Sequence, residues 1–194
     1  TRLYSSQRVY LHPDLALLLS YPTRSDWWIS LTIQELWLGA DWEGHPAPAR
    51  ITLALSPGPG GVFRLVASLD KMPAPAERVW TAGSLDYAVP TGEWITLETA
   101  YTMGNASTGR FVVRCQAASD ASPVVLVDVT DWTYNPDAVL PGGPGPVSLT
   151  HWNAQKLYSS DNVLHYIRDQ GGVAQMYWDD FSLAVTWPPS WPGP

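Results

Sequence analysis

The chain has 194 residues, a formal net charge of −7 at pH 7 and a charged fraction of only 15%. Nucleic-acid-binding proteins contact phosphates through basic patches, so this charge balance argues against a nucleic acid as partner. No apolar run is long enough to cross a membrane as a helix, and we therefore expect no membrane insertion.

The length fits one domain with a substantial core, predicted over residues 1–186. Residues 187–194 read as a Pro-rich tail or a linker, through which other modules could be attached. The single cysteine, Cys115, alternates in phase with Phe111 and Val113, which predicts a buried thiol. The sequence starts at Thr1 and carries no signal-like segment, so we expect a processed or excised product.

The N-terminal half contains one clear alternating strand and one hairpin. Residues 1–20 are ambiguous, with a short strand near 8–12 and an apolar run over 15–20. Residues 27–34 alternate between apolar and polar side chains, as a half-buried strand does. Residues 51–55 and 63–69 also alternate, and the Pro/Gly-rich segment between them predicts a hairpin turn.

The C-terminal half continues with strands predicted over residues 92–101, 110–116 and 124–130. One helix is predicted over 161–170, because a serine precedes it and Gly171 follows it. Many short strands, Gly/Pro-rich loops and one short helix predict an all-β antiparallel sandwich.

The closing strand, residues 173–185, poses an electrostatic problem. Its odd positions carry mostly apolar side chains and are therefore predicted to face the core, with Asp179 among them. A buried carboxylate must be hydrogen-bonded, paired with a cation or bound to a metal ion. Asp180, on the opposite side of the strand, is predicted to be a solvated acid.

Two segments resemble the concanavalin A-like jelly-roll superfamily. One is Gly92-Glu-Trp-Ile-Thr-Leu-Glu98 followed by Gly109-Arg-Phe-Val-Val113, and the other is Tyr177-Trp-Asp-Asp-Phe-Ser-Leu183. The resemblance implies a jelly-roll sandwich that is either a carbohydrate-binding, lectin-like module or a polysaccharide lyase-like domain. It also implies a secreted or extracellular protein.

In several of these families the aspartate of the closing strand is a ligand of a structural calcium ion. Carried over by resemblance, that role falls on Asp179, and Asp14 is a candidate second ligand. The alternative is that Asp179 accepts hydrogen bonds without a metal. The sequence leaves both interpretations open.

Candidate ligand-binding residues come from the polar side of the predicted strands and from aromatic residues in loops. Aromatic rings stack on sugar faces, while Gln, Arg and acidic side chains bind hydroxyl groups. A solvated sheet face and core-capping rings are the simpler explanation for many of them. The candidates are Trp28, Gln34, Arg64, Glu98, Arg114, Trp132, Tyr134 and Trp152.

Catalytic signatures are weak. Closely spaced acids on one strand side, as retaining glycosidases require, are not apparent. A polysaccharide lyase needs a His or Tyr base beside Arg or Gln, and His151 is the histidine to test first. The leading hypothesis is a secreted, non-catalytic carbohydrate-binding module with a structural calcium ion. A polysaccharide lyase or glycoside hydrolase is the first alternative, and a structural or adhesive surface domain is the second.

Overall fold

The computed structural model describes residues 1–22, 29–39, 48–72, 77–140, 143–144, 149–189 and 191. Its strands confirm an all-β protein. In chain order they are β1 (Arg2–Leu11), β2 (Leu31–Leu38), β3 (Ala49–Gly58), β4 (Val62–Lys71), β5 (Glu77–Gly83), β6 (Trp94–Thr102), β7 (Arg110–Ala117), β8 (Val124–Thr130), β9 (Val139–Leu140), β10 (Gly143–Pro144), β11 (Leu149–Asn153) and β12 (Met176–Ala184).

Ten of the twelve strands form two five-stranded antiparallel sheets, and β9 and β10 pair with each other as a separate two-stranded sheet. Sheet A has the order β12-β1-β6-β7-β8, and sheet B has the order β11-β2-β3-β4-β5. The core between them is built from alternate residues of both sheets, among them Val9, Leu97 and Phe111 from sheet A and Ile51 and Leu65 from sheet B. The predicted antiparallel sandwich is therefore confirmed.

The hairpin β3–β4 is the most regular part of sheet B. Its ten register pairs run from Ala49 opposite Lys71 to Gly58 opposite Val62. The turn needs glycine, because Gly60 and Gly61 both have positive φ angles, of 80° and 66°. The alternation and the Pro/Gly turn predicted this hairpin correctly.

The predicted helix is also present, as α1 over Asp161–Asp169. It buries Val163 and Ile167 against the core, and Gly171 follows it with a φ of 80°. The apolar run near the N-terminus forms a 3-10 helix over Pro13–Ser20, which buries Leu15 and Leu18. Within the described residues, no helix has the length and apolarity needed to cross a membrane.

β1 is longer than the sequence predicts, and it is an interior strand of sheet A, between β12 and β6. Its inward-facing positions include Ser5 and Gln7, which are buried to 0% and 1% exposure. Because these two buried residues are polar, the inward-facing side of β1 lacks the apolar alternation that would have predicted the strand. The structure thus resolves the ambiguity of the first twenty residues.

The predicted orientation of β12 is wrong. Met176 pairs with Leu11 and Trp178 with Val9, so these two even positions, before the register shift, face the core. Tyr177 is 48% exposed and Asp179 is exposed as well. β12 is an edge strand, and its exposed apolar residues all lie at odd positions, which is the spacing expected of a row that faces the core.

Two smaller expectations concern Cys115 and the tail. Cys115 is fully buried, as predicted, and burial raises the pKa of its thiol to about 12. Trp191, in the segment predicted to be a tail or linker, is only 5% exposed and packs against Tyr4, Ala100 and Val112. This part of the segment therefore lies on the outer face of sheet A.

Candidate functional site

The outer face of sheet A carries side chains in rows that run across its strands. The first is an aromatic row in which Tyr10 of β1 is opposite Tyr177 of β12 and Trp94 of β6. The ring centroids are 5.8 Å apart for Tyr10 and Tyr177 and 5.6 Å apart for Tyr10 and Trp94. Three adjacent strands thus form a continuous aromatic platform.

A polar row lies directly beside the aromatic row. Its members face one another in register across four strands. The guanidinium carbon of Arg8 stands 4.9 Å from the centre of the Trp94 ring, and one guanidinium nitrogen lies 3.7 Å from a carboxylate oxygen of Asp180. Donors and acceptors therefore border the platform. The polar row consists of Asp179, Arg8, Thr96 and Gln116.

A bulge in β12 shapes this border. The register shifts between Ser6 and Arg8, and Asp180 has a φ of 50°, an uncommon value for a residue other than glycine. The amide of Asp180 donates to the carboxylate of Asp179, 2.9 Å away. The bulge places both carboxylates at the exposed edge of the sheet.

Farther along the same face, Glu98 and Arg114 lie opposite each other on β6 and β7. Their closest N–O distance is 2.7 Å, and both side chains are largely buried. Tyr4 donates its hydroxyl to the other oxygen of Glu98 at 2.5 Å. Burial, together with this hydrogen bond, raises the pKa of Tyr4 to about 12, so the phenol stays protonated at neutral pH.

Trp191 covers this network. Its ring centre lies 3.8 Å from the guanidinium carbon of Arg114 and 5.3 Å from the Tyr4 ring centre. Trp187 lies next to Trp191, with 6.2 Å between the ring centres, and its own ring centre is 5.7 Å from the guanidinium carbon of Arg2. One end of the face is therefore open and aromatic, and the other is covered by the chain's own tryptophans.

Among the described residues, the structure brings the predicted ligand-binding residues together in two separate pairs, Glu98 with Arg114 and Trp132 with Tyr134. Gln34 is buried between the sheets, where it accepts a hydrogen bond from the Thr99 hydroxyl at 2.9 Å. This contradicts its predicted place on the outer polar side, because β2 has a register shift between Thr32 and Gln34.

The remaining candidates are scattered. Arg64 is half-buried on β4 of sheet B, and Trp152 packs against the core from β11. Trp132 and Tyr134 contact each other edge to face in the connection after β8, with ring centres 5.1 Å apart. Trp28 lies outside the described residues.

The surroundings of Asp179 do not fit a calcium ion. Asp179 is exposed, and its partner across the strand pair is the cation Arg8. Asp14, the candidate second ligand, instead accepts a hydrogen bond from the amide of Val173. Across the described ranges, no three His, Cys, Asp or Glu side chains group so that they could hold a metal ion.

Sheet B carries a second charged cluster on its outer side. Glu35 is 1% exposed and contacts Lys156, Arg50 at 3.5 Å and the indole nitrogen of Trp37 at 3.2 Å. The Lys156 ammonium stands 4.9 Å from the centre of the Tyr158 ring, which is 55% exposed. This cluster joins cations to an accessible phenol.

The two histidines that bear on catalysis lie elsewhere. His151 is exposed on β11, opposite Trp37 in register, and His165 lies on α1 at a cleft beside Tyr21. His151 therefore belongs to sheet B and His165 to α1, and neither lies on a strand of sheet A.

Sequence reasoning missed Tyr10, Trp94, Tyr177 and Arg8. The signal was the alternation of Tyr4, Ser6, Arg8 and Tyr10 with the inward positions of β1, but Ser5 and Gln7 broke its apolar half. Strand pairing, which the sequence does not show, was needed to place the three rings side by side.

No family model matches the chain, and no curated protein matches it. Among solved structures it is similar to the alginate lyase Aly36B. The TM-score is 0.46 at 9% identity, over 94% of this chain and 69% of that chain. A double variant of Aly36B with alginate tetrasaccharide gives 0.49 at 10% identity, over 94% and 69% of the two chains. Another with alginate trisaccharide gives 0.49 at 9%, over 96% and 71%. Similarity at this level assigns no activity to the chain.

Proposed function

We propose that this chain is a carbohydrate-binding β-sandwich domain that holds its ligand on the outer face of sheet A. The observation that carries the proposal is the aromatic row of Tyr177, Tyr10 and Trp94, bordered by the polar row. The rings lie side by side over three strands, with the planes of Trp94 and Tyr177 each tilted 56° from that of Tyr10, and they offer apolar faces for the carbon-bound hydrogens of a sugar ring.

The polar row supplies the groups that bind sugar hydroxyls. Arg8 donates hydrogen bonds, the carboxylates of Asp179 and Asp180 accept them, and Thr96 and Gln116 do both. The site is shallow, so water-mediated contacts contribute and moderate affinity is expected.

The charges favour a neutral glycan over a polymer of uronic acids. Arg8 is the cation nearest the aromatic row, and Asp180 lies 3.7 Å from it, with Asp179 opposite it in register. An anionic sugar would meet two carboxylates for one guanidinium, on a chain whose net charge is −7. Hydroxyl-rich neutral sugars meet no such repulsion.

The test compares single aromatic deletions. We expect Tyr10→Ala and Trp94→Ala each to lower glycan affinity about fivefold or more, since a stacking contact contributes of the order of 1 kcal/mol or more. Leu85→Ala is the control, because Leu85 is a 70% exposed apolar side chain in the connection after β5 of sheet B. Binding is measured on a glycan array and by titration calorimetry. Unchanged binding in folded Tyr10→Ala and Trp94→Ala proteins would rule out this face.

A polysaccharide lyase is the second candidate, and the Glu35 cluster favours it. Lyase chemistry needs a cation that neutralises the uronate carboxylate and a base that removes the neighbouring proton. Lys156 and the exposed phenol of Tyr158 provide such a pair on sheet B. Ultraviolet absorbance of unsaturated ends, formed from uronate polymers and lost in Tyr158→Phe, would support the lyase. A domain that neither binds nor cleaves any glycan would favour the structural or adhesive alternative.

We also propose an extracellular setting. The Asn105-Ala-Ser107 glycosylation sequon lies in an exposed turn. The side-chain oxygen of Asn105 accepts hydrogen bonds from the amide and the hydroxyl of Ser107. Calcium stays a prediction without a described site. Expression with and without a secretion signal, followed by glycan analysis of Asn105, tests the extracellular proposal.

A further inference from the structure

The end of sheet A that Trp191 covers has the properties of a second sugar subsite. We propose that the network of Tyr4, Glu98 and Arg114 binds a further ring of the same oligosaccharide, and that Trp191 occupies this subsite in the free protein. The inference rests on the proposed function, because it extends the same binding face.

The two ends belong to one continuous surface. Along β1, Tyr10, Arg8, Ser6 and Tyr4 follow one another on the outer side, and their neighbours on β6 are Trp94, Thr96, Glu98 and Ala100. A strand advances about 3.3 Å per residue, so Tyr10 and Tyr4 are separated by about 20 Å. A ligand that touches both ends must be an oligosaccharide of several units, and it would cross the polar row between them.

The covered end is built to receive a flat ring. Arg114 presents its guanidinium to the Trp191 ring at 3.8 Å, and Tyr4 supplies a second aromatic wall. Both oxygens of Glu98 are engaged, one by Tyr4 and one by Arg114, which fixes the three side chains relative to one another. Such a preorganised pocket loses little conformational entropy when a ring replaces Trp191.

The docked tail leaves hydrogen bonds unmade. The indole nitrogens of Trp187 and Trp191 are buried, and neither has a hydrogen-bond partner among the described residues. A buried donor without an acceptor costs free energy that exposure to water would recover. Pro188 and Pro189 lie between the two rings and restrict the backbone. In the described part of the tail, the two indoles are held by ring and apolar contacts, and a ligand that also offers hydroxyl groups can compete with them.

Competition makes the effect dependent on ligand length. A short ligand reaches only the aromatic row, and the position of Trp191 does not affect it. A long ligand must displace Trp191, so its apparent affinity falls by the fraction of molecules in which the subsite is free. Removal of the Trp191 ring should therefore favour long ligands only.

The experiment uses the full chain and its Trp191→Ala variant. The probes are the disaccharide and the hexasaccharide of the neutral glucan, mannan or xylan that binds best on the array, titrated by calorimetry. We expect Trp191→Ala to raise hexasaccharide affinity about fivefold or more and to leave disaccharide affinity unchanged. Equal affinities of the two proteins for the hexasaccharide, or weaker binding by Trp191→Ala, would overturn the proposal.

Two further variants keep the test decisive. Arg114→Met in the Trp191→Ala background should remove the gain for the hexasaccharide, because it removes the proposed contact with the sugar. Trp191→Leu keeps apolar packing on Ala100 and Val112 and replaces Trp191→Ala if that variant does not fold. If Tyr10→Ala abolishes binding while the Trp191 variants bind like the original chain, only the second subsite is wrong. If no glycan binds any of these proteins, the proposed function falls as well.

Discussion

Tyr10 and Tyr177 lie side by side on the first and last strands, with ring centroids 5.8 Å apart and both rings on the outer face of sheet A. This pairing makes the closing strand a contributor to the surface. The odd positions of β12 were predicted to face the core, and one of them, Tyr177, instead provides one of the three rings of the aromatic row. The adjacent residue, Met176, points into the core at 7% exposure.

The first prediction separates these two neighbours in sequence. Met176→Ala should lower the free energy of unfolding by about 2 kcal/mol or more, because it removes a buried side chain. Tyr177→Ala should change it by less than about 1 kcal/mol while weakening glycan binding. Urea unfolding and calorimetric binding measure both effects. A larger destabilisation by Tyr177→Ala than by Met176→Ala would contradict the observed orientation of β12.

The second prediction concerns Tyr4 and alkaline pH. Its pKa is raised from the ordinary value near 10 to about 12, first by burial and then by its bond to Glu98. The folded state therefore holds the proton more tightly than the unfolded state, and this stabilising contribution is complete below pH 10 and is lost as the pH rises to about 12.

Tyr4→Phe removes that titration. We expect the variant to be about 1 to 2 kcal/mol less stable at neutral pH, since it lacks a hydrogen bond to a charged group. The difference in the free energy of unfolding between the two proteins should shrink above about pH 10, because only the original chain has a phenol at position 4 that ionises there. Urea unfolding of both proteins across this pH range measures this difference, and a constant difference would count against the assigned pKa.

The third prediction addresses the bulge of β12. Asp180 has a φ of 50°, which glycine adopts more readily than any other residue. Asp180→Gly should therefore be neutral or stabilising by up to about 1 kcal/mol, and Asp180→Val should be destabilising by about 1 kcal/mol or more. Asp179→Ala should stay within about 0.5 kcal/mol, because its side chain is exposed. Thermal unfolding with and without a chelator measures all three, and chelator sensitivity that Asp179→Ala abolishes would restore the calcium hypothesis.

The fourth prediction tests the buried contact between Gln34 and Thr99. Gln34→Leu leaves the Thr99 hydroxyl without its acceptor and should cost about 1 to 3 kcal/mol. Adding Thr99→Val removes that stranded hydroxyl. The double variant should therefore be more stable than Gln34→Leu alone, and the amide nitrogen of Gln34 loses nothing, since it has no partner among the described residues. Additive effects in the double-mutant cycle would mean that the two groups are not coupled.

The sequence was sufficient where local patterns and turn residues agreed. Gly60, Gly61 and Gly171 end or turn their elements with positive φ angles, and the hairpin β3–β4 and helix α1 were predicted correctly. Val163 and Ile167 provide the buried stripe of α1, which its periodicity already indicated.

Prediction failed where pairing between distant strands decides which side faces the core. Gln7 and Gln34 are polar residues in the core, and Tyr177 is an aromatic residue outside it, so each breaks the binary pattern locally. The prediction was least successful for the candidate site, because the site consists of residues from β1, β6 and β12 that are far apart in the sequence. On this face, Glu98 and Arg114, on consecutive strands, were predicted and are found together among the described residues.

The pairing of β1 with β12 affects how the protein folds during synthesis. β1 leaves the ribosome before the other eleven strands, yet one of its two edges is covered by β12, at residues 176–184. Contacts between such distant segments form slowly, because closing a long loop is entropically unfavourable. An uncovered strand edge that carries Val9 and Leu11 can pair with other chains in the meantime. Nascent chains arrested before β12 should therefore depend on chaperones that shield β1.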